Sequence, residues 1–174
     1  MSQLSLRVGE AIPDVSPNRL TDDVMAVLKA EAPMHTKLLT IRLLSAVGAT
    51  RAGTRINAAI TDVLARLEKQ GKVQLDGDFI SLVGAEVVVR NRQAMPNNER
   101  KFEYVSDEEI WVAAYDVVQD TFSIEHDELV KSITETLGFS VTSKAMKEKV
   151  EAVIAELLQQ EHFVSKGGIY SIVA

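Results

Sequence analysis

The feature that most constrains this chain is an internal repeat. At an offset of 90 residues, Ala32–Val83 aligns with Phe122–Val173 without a gap. Identities include Leu39/Leu129, Gly48/Gly138, Val63/Val153, Leu67/Leu157, Gln70/Gln160, Gly77/Gly167 and Ser81/Ser171. Apolar positions coincide as well: Met34/Ile124, Leu43/Ile133, Val47/Leu137, Ile56/Met146, Ile60/Val150, Leu64/Ile154, Val73/Phe163, Phe79/Ile169 and Leu82/Ile172. Unrelated segments do not share a buried face over such a length. A repeat sets domain count and unit size before any motif is considered. This unit is too long for a solenoid repeat and suits a small domain, so the sequence predicts two similar domains in tandem.

Each half holds roughly 65–70 residues, near the lower limit for an independent core. The halves are therefore expected to pack on each other or on a partner. With 46% apolar and 25% charged residues, the composition is that of a folded globular chain, not a disordered one. No apolar run approaches the ~20 residues of a membrane span, and no signal-peptide pattern is present. The chain has no cysteine. That excludes a disulfide framework and a thiolate zinc site, and fits a cytoplasmic protein.

The net charge of −6 is unevenly distributed. Residues 20–83 carry 8 basic and 7 acidic side chains, whereas residues 106–174 carry 5 and 13. A role on a polyanion therefore falls on the first half and on the connector, residues 84–105, which has a small positive excess.

Within the first unit, Ser16-Pro17 or Thr21-Asp22-Asp23 announces a helix with Leu20, Val24, Val27 and Leu28 on one face. Pro33 opposes its continuation. A second helix is predicted over Thr36–Val47, ended by Gly48 in a left-handed cap. A third runs over about Gly53–Gln70, with Ile56, Ile60, Val63, Leu64 and Leu67 as its apolar stripe. Strands Lys72–Leu75 and Phe79–Val83 then flank Asp76-Gly77, a pair suited to a type I′ turn.

Three helices followed by a β-hairpin is the winged-helix arrangement, a helix-turn-helix variant. The second unit repeats it, with helices at Asp107–Gln119, Asp127–Leu137 and Ser143–Gln160, and strands Phe163–Ser165 and Ile169–Ile172 turning at Gly167-Gly168. The expected fold is thus α+β, mostly α. It comprises an N-terminal extension (1–19), one winged helix (20–83), a structured connector (84–105) and a second winged helix (106–174). In the connector, Glu86–Arg90 and Lys101–Val105 look β-prone around a polar loop. Ser106 and Glu109 have capping-box spacing. The connector is expected to pack along both units.

One stretch combines Arg51-Ala52-Gly53-Thr54-Arg55-Ile56, a wing, Val88-Val89-Arg90-Asn91-Arg92 and Tyr104-Val105-Ser106-Asp107-Glu108-Glu109-Ile110. It resembles a domain of unknown function at the C-terminus of very large bacterial superfamily-one helicase-like proteins, which also carry a restriction-endonuclease-like domain. The resemblance covers about residues 20–174. It implies an accessory module in a DNA-processing or defence system, partnered by a helicase or nuclease motor in cis or in trans. It transfers no activity, and motor motifs are absent from this chain. The sequence thus reads as a fragment of a larger protein or a free-standing copy of the module. Gly48–Gly53 has phosphate-loop glycine spacing, but Thr54-Arg55 replaces the Lys-Ser/Thr pair and a helix precedes it.

The strongest candidate surface is the start of the third helix of unit one, the element that enters the major groove in winged helices. Arg51, Thr54, Arg55, Asn57, Ala58 and Thr61 project away from the apolar stripe, and Arg66, Lys69 and Lys72 add charge farther along. Arginine bonds guanine or phosphate, and asparagine reads adenine. Arg90 and Arg92, with Arg100 and Lys101, extend this basic track or bridge acids of unit two. Lys144 and Lys147 are the equivalent candidates there, offset by Glu148, Glu151 and Glu156. An ordinary solvated face is the competing reading for each, and Asp76 and Asp78 weaken the first wing as a phosphate contact. Trp111 and Tyr115 suit packing better than base stacking.

No catalytic set is expected: His35, His126 and His162 do not align between the repeats and lack metal-ligand spacing. No cofactor or metal is implied. The expected function is therefore a non-catalytic nucleic-acid-binding module acting on duplex or forked DNA. The alternative is a protein-interaction or homodimerisation module using the acidic second unit.

Overall fold

The computed structural model describes residues 3–174. The chain divides into two compact units, the first ending at Glu86 and the second spanning Val87–Ala174. Among the described residues there are six α-helices and two three-stranded antiparallel sheets.

Unit one begins with a short 3₁₀ turn, Ile12–Asp14, followed by α1 (Pro17–Glu31), β1 (Met34–His35), α2 (Thr36–Val47), α3 (Thr54–Lys69), β2 (Val73–Asp76) and β3 (Phe79–Leu82). Pro17 starts α1 at a position where its missing N–H costs nothing. Gly48 ends α2 at φ 73°, ψ 22°, the left-handed cap expected of it. Leu20, Val24 and Leu28 from α1, Leu39 and Leu43 from α2, and Ile60, Val63, Leu64 and Leu67 from α3 close over Val73 and Ile80 of the sheet.

Unit two has the same order, with every corresponding first residue displaced by 90: a 3₁₀ turn at Phe102–Tyr104, α4 (Asp107–Thr121), β4 (Ile124–Glu125), α5 (His126–Thr136), α6 (Lys144–Gln159), β5 (Phe163–Lys166) and β6 (Ile169–Ile172). Its core joins Ile110, Ala114 and Val118, Leu129 and Ile133, and Val150, Val153, Ile154 and Leu157 to Phe163 and Tyr170. The apolar coincidences seen in the sequence are thus mostly shared core positions.

Each sheet contains one more strand than the sequence predicts. The order is β1-β3-β2 in unit one and β4-β6-β5 in unit two. β1 and β4 are only two residues long, below the length at which periodicity is readable. The register also reassigns one expected core pair. Leu75 pairs with Ile80, which is buried, whereas Phe79 lies opposite Asp76 and His35, and Ile169 is 49% exposed. Alternation along the strand puts Phe79 and Ile169 on the outer face.

The first hairpin turns at Gly77-Asp78, one residue later than expected. Of these two only Gly77 has positive φ, at 56°. That excludes type I′ and fits the type II′ pattern with glycine first. In the second hairpin both Gly167 (φ 60°) and Gly168 (φ 81°) are positive, as type I′ demands.

The expected connector is not a separate element. Residues 84–86 belong to unit one and residues 87–105 to unit two. Neither expected strand forms: residues 85–92 are irregular, and Phe102–Tyr104 is a 3₁₀ turn. The segment is instead the second copy of the arm that precedes α1. In unit one, Ser5 N, Ser5 Oγ and Leu6 N all donate to the buried Asp23 carboxylate at 2.7–3.0 Å. Arg19 reaches back to Glu10 at 2.7 and 2.8 Å and to the Ser5 carbonyl. In unit two the repeat-related position of Arg19 is Glu109. It accepts from Arg92 at 2.8 and 2.5 Å and from Arg90 N at 2.8 Å. Both arms are tied to the same turn of the first helix, with the charges reversed.

Candidate nucleic-acid interface

The N-terminus of α3 in unit one is built by a loop that leaves it open. Its N-cap, Gly53, provides no side-chain cap, and the first turn holds no acidic residue. No side chain caps its first N–H donors, and the acid that comes to this turn is Asp14 of the arm, which reaches Arg55. Arg51, Thr54, Arg55, Asn57, Ala58, Thr61, Arg66 and Lys69 are all exposed. Helical spacing puts Thr54, Asn57 and Thr61 on one stripe and Arg55, Asp62, Arg66 and Lys69 on the next.

The cations of this face are loosely held. Arg55 Nη2 lies 3.3 Å from Asp14 Oδ1, with the two side chains 79% and 71% exposed. Such a pair is worth little in water and yields to a stronger anion. Arg66 Nε reaches only the Asp62 carbonyl, at 3.5 Å.

The equivalent face of unit two is neutralised from within. Lys147 Nζ bonds Asp127 Oδ1 at 3.1 Å and lies 3.9 Å from Glu151. The Asp127 hydrogen bond, helped by Glu151, holds the Lys147 ammonium above its ordinary range. Glu151 also bonds His126 Nε2 at 2.8 Å, and His126 Nδ1 meets the Tyr170 hydroxyl at 2.9 Å. Burial, with Glu151 and Glu125 nearby, pushes the Tyr170 hydroxyl up. Lys144 is 3.8 Å from Glu148. Lys147 is therefore held by two carboxylates, whereas the Lys144–Glu148 pair is as exposed and loose as Arg55–Asp14.

The arm residues of unit two are engaged within their own unit. Arg92 is 1% exposed, closed into its bidentate pair with Glu109, and has no accessible guanidinium for a phosphate. Arg90 is half-buried, with its N–H on Glu109. Arg100 spans Gln93 O and Asn97 Oδ1 at 2.8 and 2.9 Å, stiffening its own loop. Ser106 Oγ accepts from Glu109 N at 3.2 Å, the forward half of the expected capping box. The Glu109 carboxylate turns to Arg92 instead of back to Ser106, so it is an arm anchor and not only a helix-dipole charge.

Trp111 stacks on Tyr115 with ring centroids 5.5 Å apart and meets the edge of His162 at 5.0 Å. Tyr115 continues onto Phe163. This is packing around the base of the second hairpin. His35 caps α2 by accepting from Lys37 N and lies across Phe79. Among the described residues no group of His, Cys, Asp or Glu has the arrangement of a metal site. Among the described residues no helix is long and apolar enough to cross a membrane.

One exposed cation of unit one has no signal in the helix-stripe pattern. Lys37, in the first turn of α2, is exposed, and it is the repeat counterpart of Asp127.

A protein family described as "protein of unknown function (DUF3320)" matches the chain over residues 10–58. The match covers the end of the first arm, α1, α2 and the opening turn of α3, and lies wholly in unit one. Among curated proteins none matches the chain.

Proposed function

We propose that the chain is a non-catalytic DNA-binding accessory module of two winged-helix units, in which α3 of unit one makes most of the contacts. The observation that carries this reading is the contrast between two faces of one scaffold. Lys147 of unit two is held by Asp127 and Glu151, whereas Arg51, Thr54, Arg55, Asn57 and Thr61 of unit one surround a helix start without a side-chain cap, where Arg55 has only an exposed pair with Asp14. Such a start accepts phosphate, and the side chains beside it suit phosphate and base edges. The duplex or a forked junction is the expected substrate, with a helicase or nuclease motor, in cis or in trans, as the partner that the resemblance implies.

Binding of this kind is modest and steeply salt-dependent, with dissociation constants on the order of 10⁻⁴–10⁻⁶ M for sequence-independent contacts. Reversing Arg51 and Arg55 to Glu is expected to weaken binding to a fluorescent duplex by at least about tenfold at low salt, measured by anisotropy. Unchanged affinity of the double variant refutes the reading. A second reading, protein interaction through the acidic unit two, has its own observation: Phe122 is 84% exposed at φ 63°, and Val141 is 76% exposed. A homodimer or other stable oligomer by light scattering, together with no DNA binding by the wild type, would favour it.

A further inference from the structure

Phe122 ends α4 in a conformation that the fold does not require. It has φ 63° and ψ −39°, and Ser123 N donates to Thr121 O at 2.7 Å across it. That is a γ-turn of the rare, strained kind, and a bulky residue at its centre is an outlier. The side chain is 84% exposed, so no packing within the unit offsets the strain. Its repeat counterpart, Ala32, has φ −68°, so the shared scaffold does not demand the turn. Just before it on α4, Asp116 and Asp120 are exposed and four residues apart, and the last turn holds no basic residue. Like charges at that spacing repel, and Asp120 meets the negative end of the helix dipole. Strain and repulsion of this kind concentrate where a chain binds something.

Unit one carries the complementary shape. A groove of about 420 Å³ is lined by Ile12, Pro13, Val47, Ala49 and Ile56, with the exposed Arg55 beside them. Glu10 also borders the groove, but its carboxylate is held by Arg19. Arg55 has only its exposed pair with Asp14. The groove therefore offers apolar walls and a cation open to a new carboxylate. Residues 20–83 have a small excess of basic side chains and residues 106–174 a large excess of acidic ones, so the two surfaces attract. The counterpart groove of unit two has Phe139 in place of Ala49 and Ala145 in place of Arg55, and the charge of its unit repels an aspartate.

We infer that the chain associates with a second copy of itself: Phe122 of one copy enters the apolar groove of unit one of the other, and Asp120 meets Arg55 there. Made in both directions, the contact closes a two-fold dimer. This deepens the protein-interaction reading above by naming the partner, and it does not need DNA binding. It has a consequence for the DNA reading, because Arg55 cannot serve Asp120 and a phosphate at once. Duplex and second copy compete for the start of α3.

The test is light scattering of the full chain over a concentration series at low salt, comparing wild type, F122G, R55D, D120R and R55D/D120R. Circular dichroism confirms that the variants fold. The wild-type mass is expected to rise with concentration toward twice that of the monomer. F122G relieves the turn without touching the core and is expected to raise the dimer dissociation constant about tenfold or more. R55D and D120R each weaken association, whereas R55D/D120R restores it because the exchanged charges again face each other. A wild type that stays monomeric, an F122G variant that associates like wild type, or a double variant no better than the single ones overturns the inference. Excess duplex is expected to return the wild type to monomer, and duplex bound without dissociation would remove Arg55 from the dimer contact. If the variants behave as expected and the wild type binds no duplex, self-association stands and the DNA reading fails.

Discussion

Gly138 sits at φ +96°, and a Cβ built on it would lie 2.4 Å from Arg92 N and 2.5 Å from Gln93 N. These are backbone atoms of the arm, held in place because Arg92 N donates to Leu137 O and the Arg92 guanidinium is locked on Glu109. Neither side of the contact can yield cheaply. Its repeat partner Gly48 (φ +73°) is less confined, meeting only the Val8 side chain at 3.2 Å. Gly138→Ala combines a left-handed alanine with a backbone clash and is expected to cost unit two about 3 kcal/mol. Gly48→Ala is expected to cost less. Urea unfolding of the two variants checks the order, and equal losses would show that the arm gives way. A shared glycine in a repeat thus has two reasons to be there, and only one of them is the helix cap.

At the scale of elements, what distinguishes the two units is how each arm is fastened to its first helix. Unit two uses a buried pair, Arg92–Glu109, whose loss of one partner would strand a charge in the core at a cost of about 3–5 kcal/mol. Unit one uses Arg19–Glu10, a pair about a third exposed. The Arg19 hydrogen bond and the Arg7 N–H hold the Glu10 carboxyl at about 2, well below the ordinary glutamate value of 4.5. A depressed carboxyl adds stability that is present above the unfolded value and is lost as pH falls through the folded one. The first arm is therefore expected to loosen between about pH 4.5 and 2, ahead of the α-helical core. Hydrogen exchange of Leu6 and Arg7 amides across that range checks it, and E10Q is expected to remove the dependence. An arm equally protected at both ends of the range would show that the Asp23 bonds hold it alone.

For the whole molecule, the boundary at residues 86–87 has a direct consequence. A chain cut before Ser106, where the helical pattern begins, loses Arg92 from Glu109 and removes Phe102 and Val105 from the core of unit two. A chain beginning at Val87 keeps all three. The 87–174 fragment is therefore expected to unfold cooperatively, and the 106–174 fragment to melt broadly or not at all. Thermal circular dichroism distinguishes them, and two equally cooperative fragments would show the arm to be dispensable.

Much of this was legible from the repeat alone. The bounds of α2, the left-handed Gly48, the stripe of α3 and the second glycine turn depend on local chemistry, namely apolar spacing, caps and φ preferences, and these are written within a few residues of each position. The identity Val15-Ser16/Val105-Ser106 at the same offset marks where each arm ends and its first helix begins. Other features arise from contacts distant along the chain. Arg92 reads as one more exposed arginine until Glu109, 17 residues away, closes over it. Met34 and His35 become a strand only because Ile80 and Phe79 lie beside them. Lys37 resembles any surface lysine until its counterpart is seen ion-paired to Lys147. The sequence by itself determined the duplicated scaffold, because a buried face must repeat with the period of its helix or strand. Which charges remain available on that scaffold was decided by tertiary structure alone, because a charge is spent or left accessible by partners that the chain brings together only on folding.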